Sequence, residues 1–318
     1  VSVLPNYLFV FLLVLKFSVK GKNANAHSES WFELFMSADN EPLYVYPKNS
    51  EWMPPSWYPQ ESFEDMWTLS QLEKDASFQK GPRLYSRAAL VFDVDRGEVL
   101  YQKNADSRWP VASLTKVVSA LALAAEEVPM EKLSDSYCLD RTIKPGLPGA
   151  MTRFKVGRCT SGWDLLGSAL VSSDNGGAFA LNQIADLPHG AFVDRMNSVA
   201  LDLNMKDSEF ADPAGVDDEN LSTARDITRA AIAAAFHPTI SIPASASTWY
   251  TQHDETSYAY RRFSTNRMSS NPKIEVLAAK TGYTDTARSC FTSVFRKNGR
   301  TLAITTLGAY SSSRRWKD

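Results

Sequence analysis

Ser113 and Lys116 stand three residues apart at the start of an apolar segment, and these two residue types can form a nucleophile with its base. Residues three apart share one face of a helix, so the lysine amine is expected beside the serine hydroxyl. A serine hydroxyl needs a base before it attacks. A lysine in apolar surroundings holds its proton weakly, because its charged form is poorly solvated there. The pair therefore predicts an acyl-enzyme on Ser113.

A second candidate motif, Ser173-Asp174-Asn175, follows a predicted helix. The Ser173 hydroxyl could relay a proton between Lys116 and a leaving amine. The Asn175 amide could hold a substrate amide or fix Lys116. A polar turn at a helix end is the alternative interpretation.

The third motif, Lys280-Thr281-Gly282, lies on the predicted strand VLAAKTGY. A lysine beside a threonine hydroxyl on an edge strand can bind a carboxylate. Glycine leaves room where a substrate backbone must approach closely, and an edge strand can pair with an extended peptide. The alternative is a strand end that faces solvent.

Each motif is short enough to recur by chance. The Ser-x-x-Lys pattern is also found at Ser77–Lys80 and at Ser270–Lys273, both in polar surroundings. The copy at Ser113 differs because it follows a predicted hairpin and opens an apolar helix. The information therefore lies in the ordered set of three motifs rather than in any one of them.

The elements around the motifs favour a mixed fold. Two β-rich runs flank Asp95-Arg96-Gly97, which is a hairpin signal. The segment SLTKVVSALALAAEE is apolar on nearly all sides, which indicates a buried helix. Residues 126–160 read as irregular. Further helices are predicted from Ser161 with a capping box to Asp164, from Phe192 to Leu203, and after a cap at Ser222.

The C-terminal part returns to β-rich runs, VLAAKTGY, CFTSVF and TLAITTLGAY, with a hairpin signal at Asn298-Gly299. Strands at both ends with helices between them predict an α+β fold. We expect an antiparallel sheet formed by N- and C-terminal segments and flanked by helices, with a helical insertion at about 126–265.

The order Ser-x-x-Lys, Ser-x-Asn, Lys-Thr-Gly is the motif set of penicillin-binding proteins and serine β-lactamases. The chain resembles the serine D-alanyl-D-alanine carboxypeptidase and endopeptidase family, and it looks closest to the shorter, endopeptidase-like branch. The resemblance runs from about Ser86 to the end. It is carried by VASLTK (111–116), MNSVALDLNM (196–205), FADPAGVDDENLSTARD (210–226) and KTGYTDTARSC (280–290).

The resemblance implies a β-lactamase/transpeptidase-like fold and a complete set of site residues. The catalytic residues would be Ser113, Lys116, Ser173 and Asn175, and the substrate-binding residues would be Lys280, Thr281, Gly282 and Tyr283. Backbone N–H groups of Ser113 and Tyr283 would form the oxyanion hole. The implied substrates are peptidoglycan stem peptides cut at D-Ala, the implied inhibitors are β-lactams, and no metal or organic cofactor is implied.

Two rival functions share part of this pattern. Class A β-lactamases are similar but have a glutamate with asparagine four residues on, between the second and third motifs. The glutamates in that stretch do not fit this spacing: Glu209, Glu219, Glu255 and Glu275. The other rival is an inactive peptidoglycan-binding module. It stays open because family members usually carry a further helix after the last strand, and the sequence stops at residues 311–318, about where that helix should begin. The sequence also leaves carboxypeptidase and endopeptidase activity open.

Composition and the N-terminal region indicate an exported protein. The net charge is −2 without a long basic run, so nothing suggests a nucleic-acid partner. The apolar run from Leu8 to Leu15 is too short to span a bilayer but suits a signal peptide cut after Ala26. Periplasmic or cell-envelope localisation is expected. An uncleaved anchor that associates with the membrane is the alternative.

The predicted organisation is a signal peptide at 1–26, a Trp-rich extension at 27–85 and a D,D-peptidase domain at 86–318. The cysteines allow two interpretations. Either all three are small buried or semi-buried residues, or Cys138 and Cys159 form a disulfide, as export permits, while Cys290 stays free.

Overall fold

The computed structural model describes residues 32–36, 42–47, 82–125, 128, 130–139 and 152–318. The chain divides into two compact units, Val1–Pro59 and Gln60–Asp318. In the first unit, strands β1 (Phe32–Met36) and β2 (Pro42–Pro47) pair antiparallel. The predicted signal peptide lies outside the described residues.

The strands of the second unit form one central sheet and three small pairs. Their bounds are β3 Ala88–Asp93, β4 Glu98–Lys103, β5 Trp109–Pro110, β6 Ser136–Cys138, β7 Cys159–Ser161, β8 Leu221–Ser222, β9 Thr248–Thr251, β10 Tyr260–Phe263, β11 Glu275–Thr284, β12 Arg288–Lys297 and β13 Arg300–Ala309. The central sheet is antiparallel in the order β11-β12-β13-β3-β4. The N-terminal hairpin β3–β4 therefore extends the C-terminal strands, as the sequence predicts.

Most helices lie in the part of the chain between β4 and β11, and one short helix follows β13. Their bounds are α1 Thr115–Ala125, α2 Met130–Ser134, α3 Gly162–Val171, α4 Asn175–Phe179, α5 Leu181–Ile184, α6 His189–Asp202, α7 Ala224–Phe236, α8 Pro238–Ser245 and α9 Ser312–Arg315. Short 3₁₀ turns occupy Ala112–Leu114 and Arg267–Ser270. The α+β class is confirmed.

The core lies where helices α1 and α7 pack together and α7 covers the sheet. Helix α7 is buried along its whole length, and the Thr228 hydroxyl donates to the Thr305 hydroxyl on β13 at 2.8 Å. Helix α1 is buried from Thr115 to Leu123, which confirms the prediction of a buried helix. Helix α1 therefore packs against both α6 and α7, and the turn that precedes its N-terminal end contacts the edge strand β11.

Helix starts and turns form where the sequence predicts them, with one exception. Ser161 caps helix α3 by accepting from the Asp164 N–H at 3.1 Å, as predicted. The cap of helix α7 is Thr223, which accepts from the Asp226 N–H, so the predicted cap at Ser222 is wrong. Ser222 instead belongs to strand β8. The β12–β13 hairpin turns through Asn298 and Gly299, both with positive φ, as a tight hairpin requires.

The region predicted to be irregular, 126–160, contains regular elements. Helix α2 and the paired strands β6 and β7 lie there. Cys138 and Cys159 face each other in that pair and form a disulfide, so the interpretation with three unpaired cysteines is wrong. Cys290 is free and buried, and burial raises its pKa to about 12, which keeps the thiol protonated at neutral pH.

The described residues contain neither a helix that could span a membrane nor a cluster of metal ligands. No helix there has the length and apolarity that crossing a bilayer requires. Within the same residues, no group of three His, Cys, Asp or Glu side chains is arranged to hold a metal ion.

Candidate active site

The proposed nucleophile lies in a strained turn. Ser113 is half-exposed in the 3₁₀ turn that immediately precedes helix α1. Its neighbour Ala112 has a φ of 49°, which is unusual for a residue with a side chain. Gly215 packs against this turn with a φ of 72°, and a Cβ there would lie 1.9 Å from the Ala112 carbonyl oxygen. Gly215 therefore permits the backbone approach that holds Ser113 in place.

Lys116 lies one turn below Ser113 and is fully buried. Its Nζ donates to Ser113 Oγ at 2.8 Å, to Asn175 Oδ1 at 2.7 Å and to the Ala214 carbonyl at 2.6 Å. Burial lowers the pKa of Lys116 to about 7, while the charges of Asp212 and Asp174 raise it. The amine is thus able to lose and regain a proton near neutral pH, as a general base must.

Asp212 shapes the loop that reaches Lys116, and the sequence analysis did not identify it. Its buried carboxylate accepts from the N–H groups of four following residues, at 2.6–3.1 Å, and from Asn220 Nδ2 at 2.6 Å. These bonds fold residues 212–217 into a tight loop that turns the Ala214 carbonyl toward Lys116. In the sequence, Asp212 stands out only as part of the run 210–226 that carries the family resemblance.

The second motif forms a compact turn after helix α3. Ser173 has a φ of 61° and remains half-exposed. Asp174 caps helix α4 through the Gly177 N–H at 3.0 Å and also accepts from Thr152 Oγ1 at 2.9 Å and the Arg153 N–H at 2.7 Å. The central aspartate therefore builds the turn. The residues on either side of it face the two lysines.

Lys280 lies on the edge strand β11, and only 1% of it is exposed, so the solvent-facing alternative is wrong. Its Nζ donates to Ser173 Oγ and to the Thr281 carbonyl, both at 2.8 Å. Burial, and then the positive charges of Lys116 and Arg315, hold the pKa of Lys280 well below its usual value. Ser173 is thus bonded to Lys280, whereas Asn175 is the member of its motif that holds Lys116.

Gly282 lets strand β11 run directly against the nucleophile turn. A Cβ at Gly282 would lie 2.9 Å from the Val111 carbonyl oxygen and 3.2 Å from the Ser113 nitrogen. Tyr283 follows with 56% of its surface exposed. The structure therefore brings all three motifs to one cleft, formed by the residues Ser113, Lys116, Ser173, Asn175, Lys280, Thr281, Gly282 and Tyr283.

Two further residues support the third motif and were missed in the sequence. Thr265 accepts a hydrogen bond from the Thr281 hydroxyl at 2.6 Å. Arg315 donates from Nη1 to the carbonyl oxygens of Gly282 at 3.2 Å and Cys290 at 3.0 Å. Both come from distant parts of the chain, so no local pattern could have identified them. Arg315 also adds positive charge beside Lys280.

The other Ser-x-x-Lys copies do not contribute to this cleft. Ser270 and Lys273 are exposed on the connection that leads into β11. Ser77–Lys80 lies outside the described residues. The copy at Ser113 differs from the others in the sequence because it opens an apolar helix. In the structure, that helix is buried.

The family model for D-alanyl-D-alanine carboxypeptidases matches residues 75–311 of the chain. The chain belongs to this family. The D-alanyl-D-alanine endopeptidase of Pseudomonas aeruginosa is 31% identical over 237 residues, which span 72% of this chain and 74% of that protein. The D-alanyl-D-alanine endopeptidase of Escherichia coli K12 is 27% identical over 238 residues, spanning 74% and 76%.

A solved structure agrees with the family. Penicillin-binding protein D2 of Listeria monocytogenes, in a cefotaxime-bound form, matches with a TM-score of 0.65 and 29% identity, covering 76% of this chain and 96% of that one. The family and the fold expected from the motifs are therefore confirmed. As a member of the D-alanyl-D-alanine carboxypeptidase family, the chain is a serine hydrolase.

Proposed function

We propose that the protein is an exported D,D-peptidase that hydrolyses D-Ala-containing peptide bonds of bacterial peptidoglycan through an acyl-enzyme on Ser113. The observation that carries this proposal is the buried Lys116 amine, 2.8 Å from the Ser113 hydroxyl, with its pKa lowered to about 7. Such an amine can take the serine proton at neutral pH. Family membership supports the substrate class.

Acylation proceeds as the Ser113 oxygen forms a bond to the D-Ala carbonyl carbon while its proton passes to Lys116. The N–H groups of Ser113 and Tyr283 hold the oxyanion of the tetrahedral intermediate. The peptide C–N bond then breaks, and the leaving amine receives a proton from Lys116 through Ser173 or Lys280. Asn175 keeps Lys116 aimed at Ser113 throughout, since it accepts from the amine at 2.7 Å.

Deacylation returns the site to its starting state. A water molecule attacks the ester carbonyl, its proton goes to Lys116, and Ser113 recovers the proton as the acid product leaves. The same groups serve both half-reactions because each requires proton transfer at the Ser113 oxygen. A β-lactam forms the same ester at Ser113, and the cefotaxime-bound relative supports this inhibitor class.

The substrate binds along strand β11. Its backbone pairs with this edge strand, and its terminal carboxylate lies against Lys280 and Thr281, where Arg315 adds positive charge. Two relatives bearing the name D-alanyl-D-alanine endopeptidase support cleavage of cross-links rather than only of free termini. Peptidoglycan lies outside the cytoplasm, which supports a periplasmic or envelope location and the expected signal peptide at 1–26.

A class A-like β-lactamase is less well supported. Such an enzyme needs a carboxylate in the site to activate the deacylating water. The glutamates between the second and third motifs are all exposed: Glu209, Glu219, Glu255 and Glu275. An inactive peptidoglycan-binding module is also less well supported, because the nucleophile, the base and both lysine–serine contacts are in place.

The test is labelling with a fluorescent penicillin, followed by intact mass over time. We expect a stable adduct on the wild type and on Ser270→Ala, which removes the exposed serine of a second Ser-x-x-Lys copy. Ser113→Ala should give no adduct. Rapid loss of the adduct would instead favour a β-lactamase, and a folded wild type without any adduct would overturn the proposal. Digestion of purified peptidoglycan then separates endopeptidase from carboxypeptidase products.

A further inference from the structure

Two chain segments contact the active-site motifs on the side of Ser173. The first, residues 152–161, is tied to the Ser-Asp-Asn turn by the Arg153 N–H and the Thr152 hydroxyl, which both donate to Asp174. The second is the hairpin β9–β10. It continues into Thr265, whose N–H donates to the Val171 carbonyl at 3.1 Å and whose hydroxyl accepts from Thr281. Both segments therefore border the cleft on the Ser173 side.

The buried ring of His253 joins these two segments. It packs edge-on against Phe154 at 5.8 Å and against Tyr260 at 6.4 Å between ring centroids. Tyr260 in turn lies under the guanidinium of Arg262, 5.3 Å from its ring centroid. Arg262 Nε also donates to Thr251 Oγ1 at 3.0 Å. Arg262 is thus held in one place on the surface formed by the two segments.

Arg153 and Arg262 place two positive charges on this surface. Arg153 is exposed and Arg262 is half-buried. Phe154, the residue after Arg153, contacts His253, which in turn contacts Tyr260 beneath Arg262, so the two arginines lie on one surface. Burial, and then the charge of Arg153, lower the pKa of Arg262. Among the residues that the structure describes, no carboxylate forms an ion pair with either arginine.

The two acids whose charges act on Arg262 already accept hydrogen bonds in the interior. Asp174 accepts the three hydrogen bonds that build the active-site turn. Asp164 accepts from the Thr160 hydroxyl at 2.9 Å and the Gln252 N–H at 2.9 Å. Both carboxylates are buried, and their negative charges oppose the lowering of the Arg262 pKa.

We propose that Arg153 and Arg262 form a second anion subsite, which binds a carboxylate of a cross-linked stem peptide outside the D-Ala residues at the cut. Guanidinium groups bind carboxylates in a planar, two-pronged geometry. The subsite is separate from Lys280 and Thr281, which receive the terminal carboxylate. This proposal rests on the proposed function and deepens it. Such a subsite makes the enzyme prefer large acidic peptides to short ones.

The experiment compares two versions of one cross-linked peptide dimer, with its outlying carboxylates either free or amidated. For Arg153→Gln and Arg262→Gln, we expect kcat/KM on the free-carboxylate dimer to fall about tenfold each, as for loss of a charged hydrogen bond. The amidated dimer should be cleaved at the wild-type rate by both variants. Arg96→Gln, an exposed arginine at the β3–β4 turn, is the matched control and should change neither rate.

The penicillin labelling rate and the melting temperature report whether each variant keeps its fold and its acylation chemistry. If Arg262→Gln does not fold, the exposed Arg153→Gln still decides. Equal losses on both dimers, or no loss on either, would overturn the subsite. Failure of the wild type to cleave even the amidated dimer, despite penicillin labelling, would count against the proposed peptidase function instead.

Discussion

The active site contains two lysine–serine pairs that look alike but differ in their electrostatic surroundings. Lys116 and Lys280 are both buried, and each donates to a serine hydroxyl at 2.8 Å. Around Lys116, the carboxylates of Asp212 and Asp174 oppose the effect of burial on the pKa. Around Lys280, positive neighbours add to that effect. The two amines are equally buried, so the difference between them comes from the charges of their neighbours.

The difference assigns removal of the Ser113 proton to Lys116 and binding of the substrate carboxylate to Lys280. Lys116, with a pKa of about 7, changes its protonation state easily at neutral pH. Lys280 lies in a positive field set up by Lys116 and Arg315, and an arriving substrate carboxylate would neutralise that field. Binding of the carboxylate then favours the charged form of Lys280, because an opposite charge nearby raises the pKa of a lysine.

Replacing the two lysines should give the largest difference between the two lysine–serine pairs. For Lys116→Ala, we expect the acylation rate constant with a fluorescent penicillin to fall roughly 10²–10⁴-fold, the usual contribution of a general base. Lys280→Ala should act mainly on affinity, so its saturating rate should fall less. Stopped-flow acylation over a range of penicillin concentrations measures both. A saturating rate lowered equally in the two variants would contradict the separate roles.

The pH dependence of acylation should identify which lysine carries the proton. Lys116 must be neutral to act as a base, so the rate should rise with pH and level off above about 7, the pKa of this amine. Below that point it should fall about tenfold per pH unit. Asp212→Asn should move the midpoint to lower pH, because the Asp212 charge raises the pKa of Lys116. A midpoint that moved upward would show the assignment to be wrong.

Replacing Arg315 should affect the Lys280 pair and leave the Lys116 pair unchanged. Arg315→Gln removes two charge-assisted bonds to the carbonyls of Gly282 and Cys290, and we expect kcat/KM for a D-Ala peptide to fall about tenfold. The pH midpoint should stay in place because Lys116 keeps its neighbours. Arg314→Gln is the control, since Arg314 lies over the rings of Tyr85 and Tyr310 instead. Equal effects of the two substitutions would exclude a specific role for Arg315.

The sequence predicted the parts of the site that depend on short spacing. Ser113 and Lys116 share a helical face, and the hairpin at Asn298-Gly299 follows from turn chemistry, so both could be recognised locally. The contacts of Thr265 and Arg315 depend on how distant segments meet at strand β11, and no pattern of neighbouring residues encodes that. The cap at Thr223 was missed because two adjacent hydroxyl residues precede helix α7, and pairing of β8 with β5 takes up Ser222.

The disulfide should have the smallest effect on the chemistry although it stabilises the fold. Replacing Cys138 and Cys159 with serine should lower the free energy of unfolding by about 2–4 kcal/mol, as measured by denaturant titration. Cys138 is exposed, so a reductant should produce the same loss in the wild type.

Acylation should stay close to the wild-type rate in that double variant, because the cysteines take no part in the contacts that position Lys116. Asp174 is held by Thr152, Arg153 and Gly177, and Asp212 by its own loop. A large drop in acylation at a temperature where the double variant remains folded would mean that the pair β6–β7 positions Asp174. The Lys116 side would then depend on a surface element, whereas the Lys280 side depends on the sheet and on Arg315.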